Sequence, residues 1–190
     1  LTAGEDVFFM FSPTFEKIWR NAGSPVENYV NVGFIYDNTF KEIRNSDRID
    51  EIKSELRNHG VDFILCFFDE NSVERWDYGG SHKELAQDYE FLLQWLIEEP
   101  SIGLVFKPKK FLNLFQRIGD TSNLIKQAQE TGRCKMFDDN YGNNISPAEA
   151  ALIADVCIGK LIGVTAALEA QLIGSPSILI DIDQIHTHPL

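Results

Sequence analysis

With 190 residues, 44% of them hydrophobic and 12% aromatic, the chain can bury a substantial core, which excludes an intrinsically disordered protein. Its formal net charge of -12 argues against a nucleic-acid surface, because binding a phosphate backbone needs clustered Lys and Arg. The nearest basic cluster, Lys107-Pro108-Lys109-Lys110, is too short for that role and predicts a local anion contact. We therefore predict one main folded domain, with no nucleic acid among its partners.

Apolar strands alternate with amphipathic helices along the chain, which is the pattern of a parallel sheet covered by helices on both faces. The predicted strands cover residues 6–11, 29–34, 61–68, 102–106, 134–137, 156–158 and 177–180. The fold class is therefore α/β, with a Rossmann-like open parallel sheet and helices on both of its faces.

Capping residues delimit the helices between these strands. Ser81 and Ser146 are each followed three residues later by Glu, which is a capping box, and the first of these helices should run to about residue 98. Two further helices, over residues 47–58 and 122–130, should stop at Gly60 and Gly132.

Residues 1–28 differ from the rest, because a strand and a short helix around residues 15–22 are closed by Gly23-Ser24-Pro25. We interpret them as an interdomain segment or hinge, followed by the Rossmann-like domain over residues 29–190. The chain begins at Leu1 rather than Met and ends just after a strand. We therefore expect a fragment of a longer protein, with a missing partner domain.

The clearest functional pattern is a small-residue turn that opens the helix after the sixth strand. Gly163, Val164 and Thr165 would point backbone N–H groups and the positive end of the helix dipole at one spot, which suits a phosphate. Glu169 lies four residues after Thr165, on the same helix face, where its carboxylate could accept hydrogen bonds from sugar hydroxyls. The alternative is a helix that needs small residues only to pack close to the sheet.

Other candidates follow strands, where open α/β sheets bind ligands. Asp69 and Glu70 follow the third strand, and Gly80 and Ser81 close the same connection at a helix start. These four residues form a possible second anion loop, unless they are an acidic surface loop with an ordinary N-cap. Lys107 follows the fourth strand and could neutralise a diphosphate, with a solvated lysine as the alternative.

Cysteine and histidine spacing predicts no metal site. Three cysteines lie in or beside apolar runs without CxxC spacing, as expected for reduced thiols in a cytoplasmic protein. The four histidines lack metal-ligand spacing. No apolar run approaches the roughly 18 residues of a membrane-spanning helix.

The carboxy-terminal third resembles the donor-binding half of GT-B glycosyltransferases. More narrowly, it is similar to those of bacterial surface-polysaccharide biosynthesis and to related polyol-phosphate transferases. The shared pattern is an Ala-Asp strand, a small polar turn, a helix with Glu-Ala, and Gly-x-Pro before the next strand. Here it is formed by residues 153–159, 165–170 and 174–181. Upstream, Phe11-Ser12, Trp19, Gly23 and Val32-Gly33 are similar to the family's interdomain segment.

The resemblance implies specific roles for the site residues. Gly163, Val164 and Thr165 would face the donor diphosphate, Lys107 would meet a phosphate, and Glu169 would bind the ribose hydroxyls. The implied function is transfer of a sugar from a nucleotide-sugar, as substrate rather than cofactor, to a surface polysaccharide, glycan or lipid-linked acceptor.

The resemblance also implies a metal-independent enzyme whose catalytic base lies in the missing amino-terminal domain. No catalytic residue is assigned in this chain, and the isolated chain should bind its donor without turnover. The implied location is the cytoplasm, either free or peripheral to the inner membrane.

Two alternatives stay open. Leu161 and Ile162 stand where the family usually has Ser or Thr together with Gly, which favours a degenerate, non-catalytic domain. A sugar 2-epimerase of the same architecture would line its cleft with His and carboxylate groups, for which His186 and His188 are late candidates.

Overall fold

A computed structural model describes residues 6–74, 80–138, 140 and 144–181, without the side chain of Ile162. The chain divides into two compact units, Leu1–Glu42 and Ile43–Leu190. The boundary predicted between residues 28 and 29 lies inside the first unit. The role of residues 1–28 as an interdomain segment stays a prediction.

The first unit contains β1 (Val7–Met10), α1 (Pro13–Asn21) and β2 (Asn28–Asn31), and α2 (Phe40–Arg44) crosses the point of division. Strands β1 and β2 pair in parallel as a two-stranded sheet of their own. The strand predicted over residues 29–34 is therefore present but shorter, and it does not join the larger sheet. Gly33 follows it with a φ of 75°, which takes the backbone out of the extended conformation.

The second unit contains the Rossmann-like sheet. Its elements are α3 (Asp47–Asn58), β3 (Phe63–Phe68), α4 (His82–Glu98), β4 (Ile102–Lys107), α5 (Leu114–Ile118), α6 (Ser122–Glu130), β5 (Cys134–Met136), α7 (Pro147–Ile153), β6 (Val156–Lys160), α8 (Thr165–Leu172) and β7 (Ser177–Ile180). The five strands are all parallel, in the order β5-β4-β3-β6-β7. The predicted fold class, α/β with an open parallel sheet, is confirmed.

The strand order changes direction at β3. The chain runs from β3 to β4 and β5, and then crosses back to place β6 on the other side of β3. Helix α4 packs against α5 and α6, whereas α7 packs against α3 and α8. Because connections between parallel strands are right-handed as a rule, we expect these two groups of helices on opposite faces. The switch point between β3 and β6 is where this architecture opens a crevice at the carboxyl ends of its strands.

Both predicted capping boxes are present. The Ser81 hydroxyl accepts the Glu84 N–H at 3.1 Å, and the Glu84 carboxylate accepts the Ser81 N–H at 3.0 Å. Ser146 and Glu149 make the same exchange at the start of α7. These side chains satisfy backbone donors that the first helical turn leaves unpaired.

Asp155 fixes β6 beside β3 at the amino ends of the two strands. Its carboxylate accepts the Ile64 N–H at 2.8 Å and two bonds from Arg57, at 2.9 and 2.7 Å. The Asp of the Ala-Asp pattern thus holds the sheet together at the end opposite the crevice.

The main core lies between the sheet and α4. Strands β3 and β4 are almost wholly buried, as parallel strands covered on both faces should be. Tyr89 of α4 stacks on Phe106 of β4 with ring centroids 4.9 Å apart. Among the helices described, none is both long and apolar enough to cross a bilayer.

The loss of stability when a leucine is replaced by alanine should depend on how deeply that leucine is buried. Leu104 in β4 is 0% exposed and Leu112 is 97% exposed. We expect Leu104→Ala to lower the free energy of unfolding by about 2–5 kcal/mol. The matched Leu112→Ala should change it by less than about 0.5 kcal/mol. Urea denaturation measures both, and equal losses would contradict the position of this core.

Candidate functional site

A cavity of about 500 Å³ opens at the carboxyl end of the sheet. Its walls come from the segments after β3 and β4, the residues around the start of α7, and the turn before α8 together with the first part of that helix. These segments flank the switch point, which is where a doubly wound sheet binds ligands. The volume lies within the range of small-molecule sites.

The cavity brings together residues that are far apart in the sequence. Six of the residues predicted to form a site line this cavity: Asp69, Glu70, Lys107, Gly163, Thr165 and Glu169. Val164, Gly80 and Ser81 are described but are not among its lining residues. The Ser81 hydroxyl is instead engaged in its own capping box.

The start of α8 faces the cavity without a side-chain cap. After β6 the chain makes one 3₁₀ turn, Leu161–Gly163, and Val164 at the N-cap position provides no side-chain acceptor. Thr165 and Ala166 in the first helical turn line the cavity. The positive end of the helix dipole is therefore directed at this space.

Small residues of α8 also serve close packing. Ala167 and Ala170 are buried, and a Cβ added at Gly159 of β6 would lie 3.3 Å from the Cβ of Ala167. On the face of α8 that lies toward the sheet, the small residues thus serve close packing, which is the alternative to a phosphate-binding role. Thr165 and Glu169 lie on the face that lines the cavity.

Glu169 presents an unengaged carboxylate. Its side chain is half-buried, and no described residue forms a hydrogen bond or ion pair with it. Burial raises the pKa of this carboxyl group above its usual value. Its oxygens remain available to accept hydrogen bonds from a ligand.

Two lysines contribute positive charge. Lys107, the last residue of β4, donates to the Pro108 carbonyl at 3.4 Å and forms no ion pair with a described residue. The Nζ of Lys109 lies 2.6 Å from Oε2 of Glu70. The local anion contact expected of the basic cluster is therefore made, within the structure, by a carboxylate of the same chain. The sequence did not single out Lys109 within the basic cluster, because its contact with Glu70 depends on the β3–β4 pairing.

Asp69 joins the loops after β3 and β4. Its carboxylate accepts the Lys109 N–H at 2.5 Å and the Tyr89 hydroxyl at 3.2 Å, and Nη2 of Arg117 lies 3.9 Å away. Arg117 also donates to the Ser72 hydroxyl and the Lys110 carbonyl, at 3.2 and 2.7 Å.

This network positions the charged rim of the cavity. Both Asp69 and Arg117 are buried. Burial raises the pKa of Asp69 to about 6, although the Lys109 N–H, Arg117 and the Tyr89 hydroxyl each lower it. Because its oxygens already have partners, Asp69 is a positioning residue here rather than a ligand contact.

Metal ligation has no support in the described part of the chain, which contains no cluster of three or more His, Cys, Asp or Glu residues suited to an ion. His186 and His188 lie outside the described residues.

No protein-family profile matches the sequence, and no curated protein matches it. Function is therefore inferred from the cavity and from the residues that line it.

The raised pKa of Asp69 predicts a pH-dependent stability. The folded state keeps this proton up to about pH 6, whereas the unfolded chain releases it near 3.8. Stability should therefore decrease as the pH rises through that interval, by about 3 kcal/mol at most. The Asp69→Asn variant has no carboxyl group to titrate at this position, so its stability should decrease less over the same pH interval. Urea denaturation at pH 4–7 tests it, with Asp120→Asn as a control for losing one exposed carboxylate. Parallel curves for wild type and Asp69→Asn would contradict the assignment.

Proposed function

We propose that the cavity binds a nucleotide-sugar and that the chain is the donor-binding domain of a metal-independent GT-B-type glycosyltransferase. The observation that supports this most directly is that the uncapped start of α8 and the unengaged carboxylate of Glu169 line one cavity at the switch point. A ligand with an anionic group and neighbouring hydroxyls complements that pair.

The anionic part of the donor would contact α8 and Lys107. Backbone N–H groups at a helix start donate to phosphate oxygens, and the helix dipole favours negative charge there. Lys107 adds a cation on the same rim, with no competing ion pair from the described residues. As the bond between the sugar and the diphosphate breaks, the departing diphosphate gains charge, which these groups would stabilise.

The hydroxyl-bearing part of the donor would contact Glu169. A carboxylate accepts hydrogen bonds through two oxygens and suits the paired hydroxyls of a ribose. Glu169 lies one helical turn beyond Thr165, so a ligand whose phosphate lies at the start of α8 can reach it.

In this proposal the catalytic base and the acceptor site belong to an amino-terminal domain. The acceptor is a surface polysaccharide, a glycan or a lipid-linked glycan, and the protein acts in the cytoplasm or at the inner face of the membrane. The described cavity would then need to hold only the donor.

The epimerase alternative rests on His186 and His188, which lie outside the described residues. A degenerate domain receives support from Glu70, whose carboxyl group lies against Gly163 in the turn where the donor phosphate is proposed to bind.

Loss of the Glu169 carboxylate should weaken donor binding. Thermal shifts against UDP, GDP, CDP, CMP and their sugars identify the preferred nucleotide, and calorimetry then gives its Kd. We expect Glu169→Gln to raise that Kd about tenfold or more, because a hydrogen bond to a charged group is lost. The control Glu130→Gln alters an exposed residue of α6 and should leave the Kd unchanged. Absence of binding by every nucleotide, or equal Kd values in all variants, would contradict the proposal.

Loss of the Lys107 charge should affect only anionic ligands. We expect Lys107→Gln to raise the Kd of the preferred nucleoside diphosphate by about three- to tenfold, because the cation contributes modestly at a partly exposed site. The affinity for the matching uncharged nucleoside should not change. Lys110→Gln removes a charge three residues away that does not line the cavity. If both substitutions weaken binding equally, Lys107 makes no specific phosphate contact.

A further inference from the structure

Glu70 occupies an unusual place in the cavity. Its carboxyl group fills the space in which a Cβ at Gly163 would lie, beside the uncapped start of α8. The side chain of Glu70 is 14% exposed, whereas that of its partner Lys109 is 52% exposed. The Glu70 carboxylate thus lies against the turn before α8, where it accepts hydrogen bonds from Lys109 Nζ at 2.6 Å and from the Asn71 N–H at 3.3 Å.

Gly163 leaves the space that the Glu70 carboxyl group fills, and its backbone conformation does not require a glycine. It is absent from the described glycines with positive φ, so another residue could adopt its backbone angles. A Cβ at this position would overlap the Glu70 carboxyl group, so that flexible side chain would have to move aside. The glycine of the turn therefore makes room for an anion, and in this structure that anion is Glu70.

We propose that Glu70 is an internal competitor for the anion position, and that an anionic ligand binds by displacing its carboxylate and taking over the contact with Lys109. This inference rests on the anion site of the proposed function. It adds that Glu70 sets the affinity of that site and the ligand charge that the site prefers.

The backbone around Glu70 is held in place, so the exchange needs only a side-chain rotation. Asp69 before it is fixed by hydrogen bonds from Lys109 and Tyr89, and Nη1 of Arg117 lies 3.5 Å from the Glu70 carbonyl oxygen. The Lys109 side chain is half exposed and can follow either anion.

The charges around the cavity make the exchange selective. Besides Asp69, which has Arg117 beside it, the cavity is lined by the carboxylates of Glu70 and Glu169 and by the ammonium groups of Lys107 and Lys109. A monoanion only replaces the charge of Glu70 at the helix start. A phosphate or pyrophosphate brings more negative charge to the two lysines, so it should displace Glu70 more effectively.

Calorimetric titration with inorganic pyrophosphate tests the proposal. We expect Glu70→Gln to lower the Kd of pyrophosphate about tenfold relative to wild type, because the competing charge is removed. Lys109→Gln should raise it. The matched control Glu74→Gln, in the same loop, should leave it unchanged. If Glu70→Gln binds pyrophosphate no more tightly than wild type, or if neither binds it, the proposal is wrong.

A second readout separates competition from a change in folding. In wild-type protein, pyrophosphate should shift the NMR signals of both the Gly163 amide and the Glu70 side-chain carboxyl carbon. In Glu70→Asp, the charge is kept but the shorter side chain reaches less far, and the Kd should fall between those of wild type and Glu70→Gln. An unchanged Glu70 signal at saturating pyrophosphate would overturn displacement even if the variants differ in stability.

The nucleotide panel distinguishes this inference from the proposed function. If Glu70→Gln gains affinity for pyrophosphate while no nucleotide binds to either protein, the exchange holds and the donor-binding proposal fails. If nucleotides bind wild type and Glu70→Gln equally well, donor binding holds and the exchange fails.

Discussion

The pairing of β3 with β6 is the constraint on which the candidate site depends. Strand order reverses between these two strands, so the connections that follow them leave in different directions and open a crevice. Asp155 holds the amino ends of both strands through Ile64 and Arg57. At the opposite ends, the same register brings Glu70 after β3 against Gly163 after β6.

A buried polar network gives this crevice a defined rim. Burying the Asp69 carboxylate is costly, and hydrogen bonds from Tyr89 and the Lys109 backbone offset that cost only in one arrangement of the loops. Arg117 adds contacts to Ser72 and to the Lys110 carbonyl. The loops that carry Glu70 and Lys109 are thereby held together by these buried groups.

Local sequence patterns predicted the larger sheet and its helices because each rests on neighbouring residues. The Ser81 and Ser146 capping boxes, and the apolar runs of β3 and β4, need no knowledge of the rest of the chain. The pairing of β2 with β1, instead of with the larger sheet, was not predictable, because four-residue strands with mostly exposed side chains do not specify a partner. The patterns also placed several charged residues at strand ends, where the cavity lies. They could not show that Glu70 meets Lys109, 39 residues away, since that contact depends on tertiary structure.

An NMR titration of ¹⁵N-labelled protein with the preferred nucleoside diphosphate tests the central claim most directly, that the donor binds in the switch-point cavity. We expect the largest amide shifts in three segments, at residues 69–70, at Lys107 and Lys109, and at residues 163–167, and we expect them to saturate with one Kd. Shifts concentrated elsewhere, such as at the exposed Phe91 and Trp95 of α4, or no shifts with any nucleotide, would contradict it.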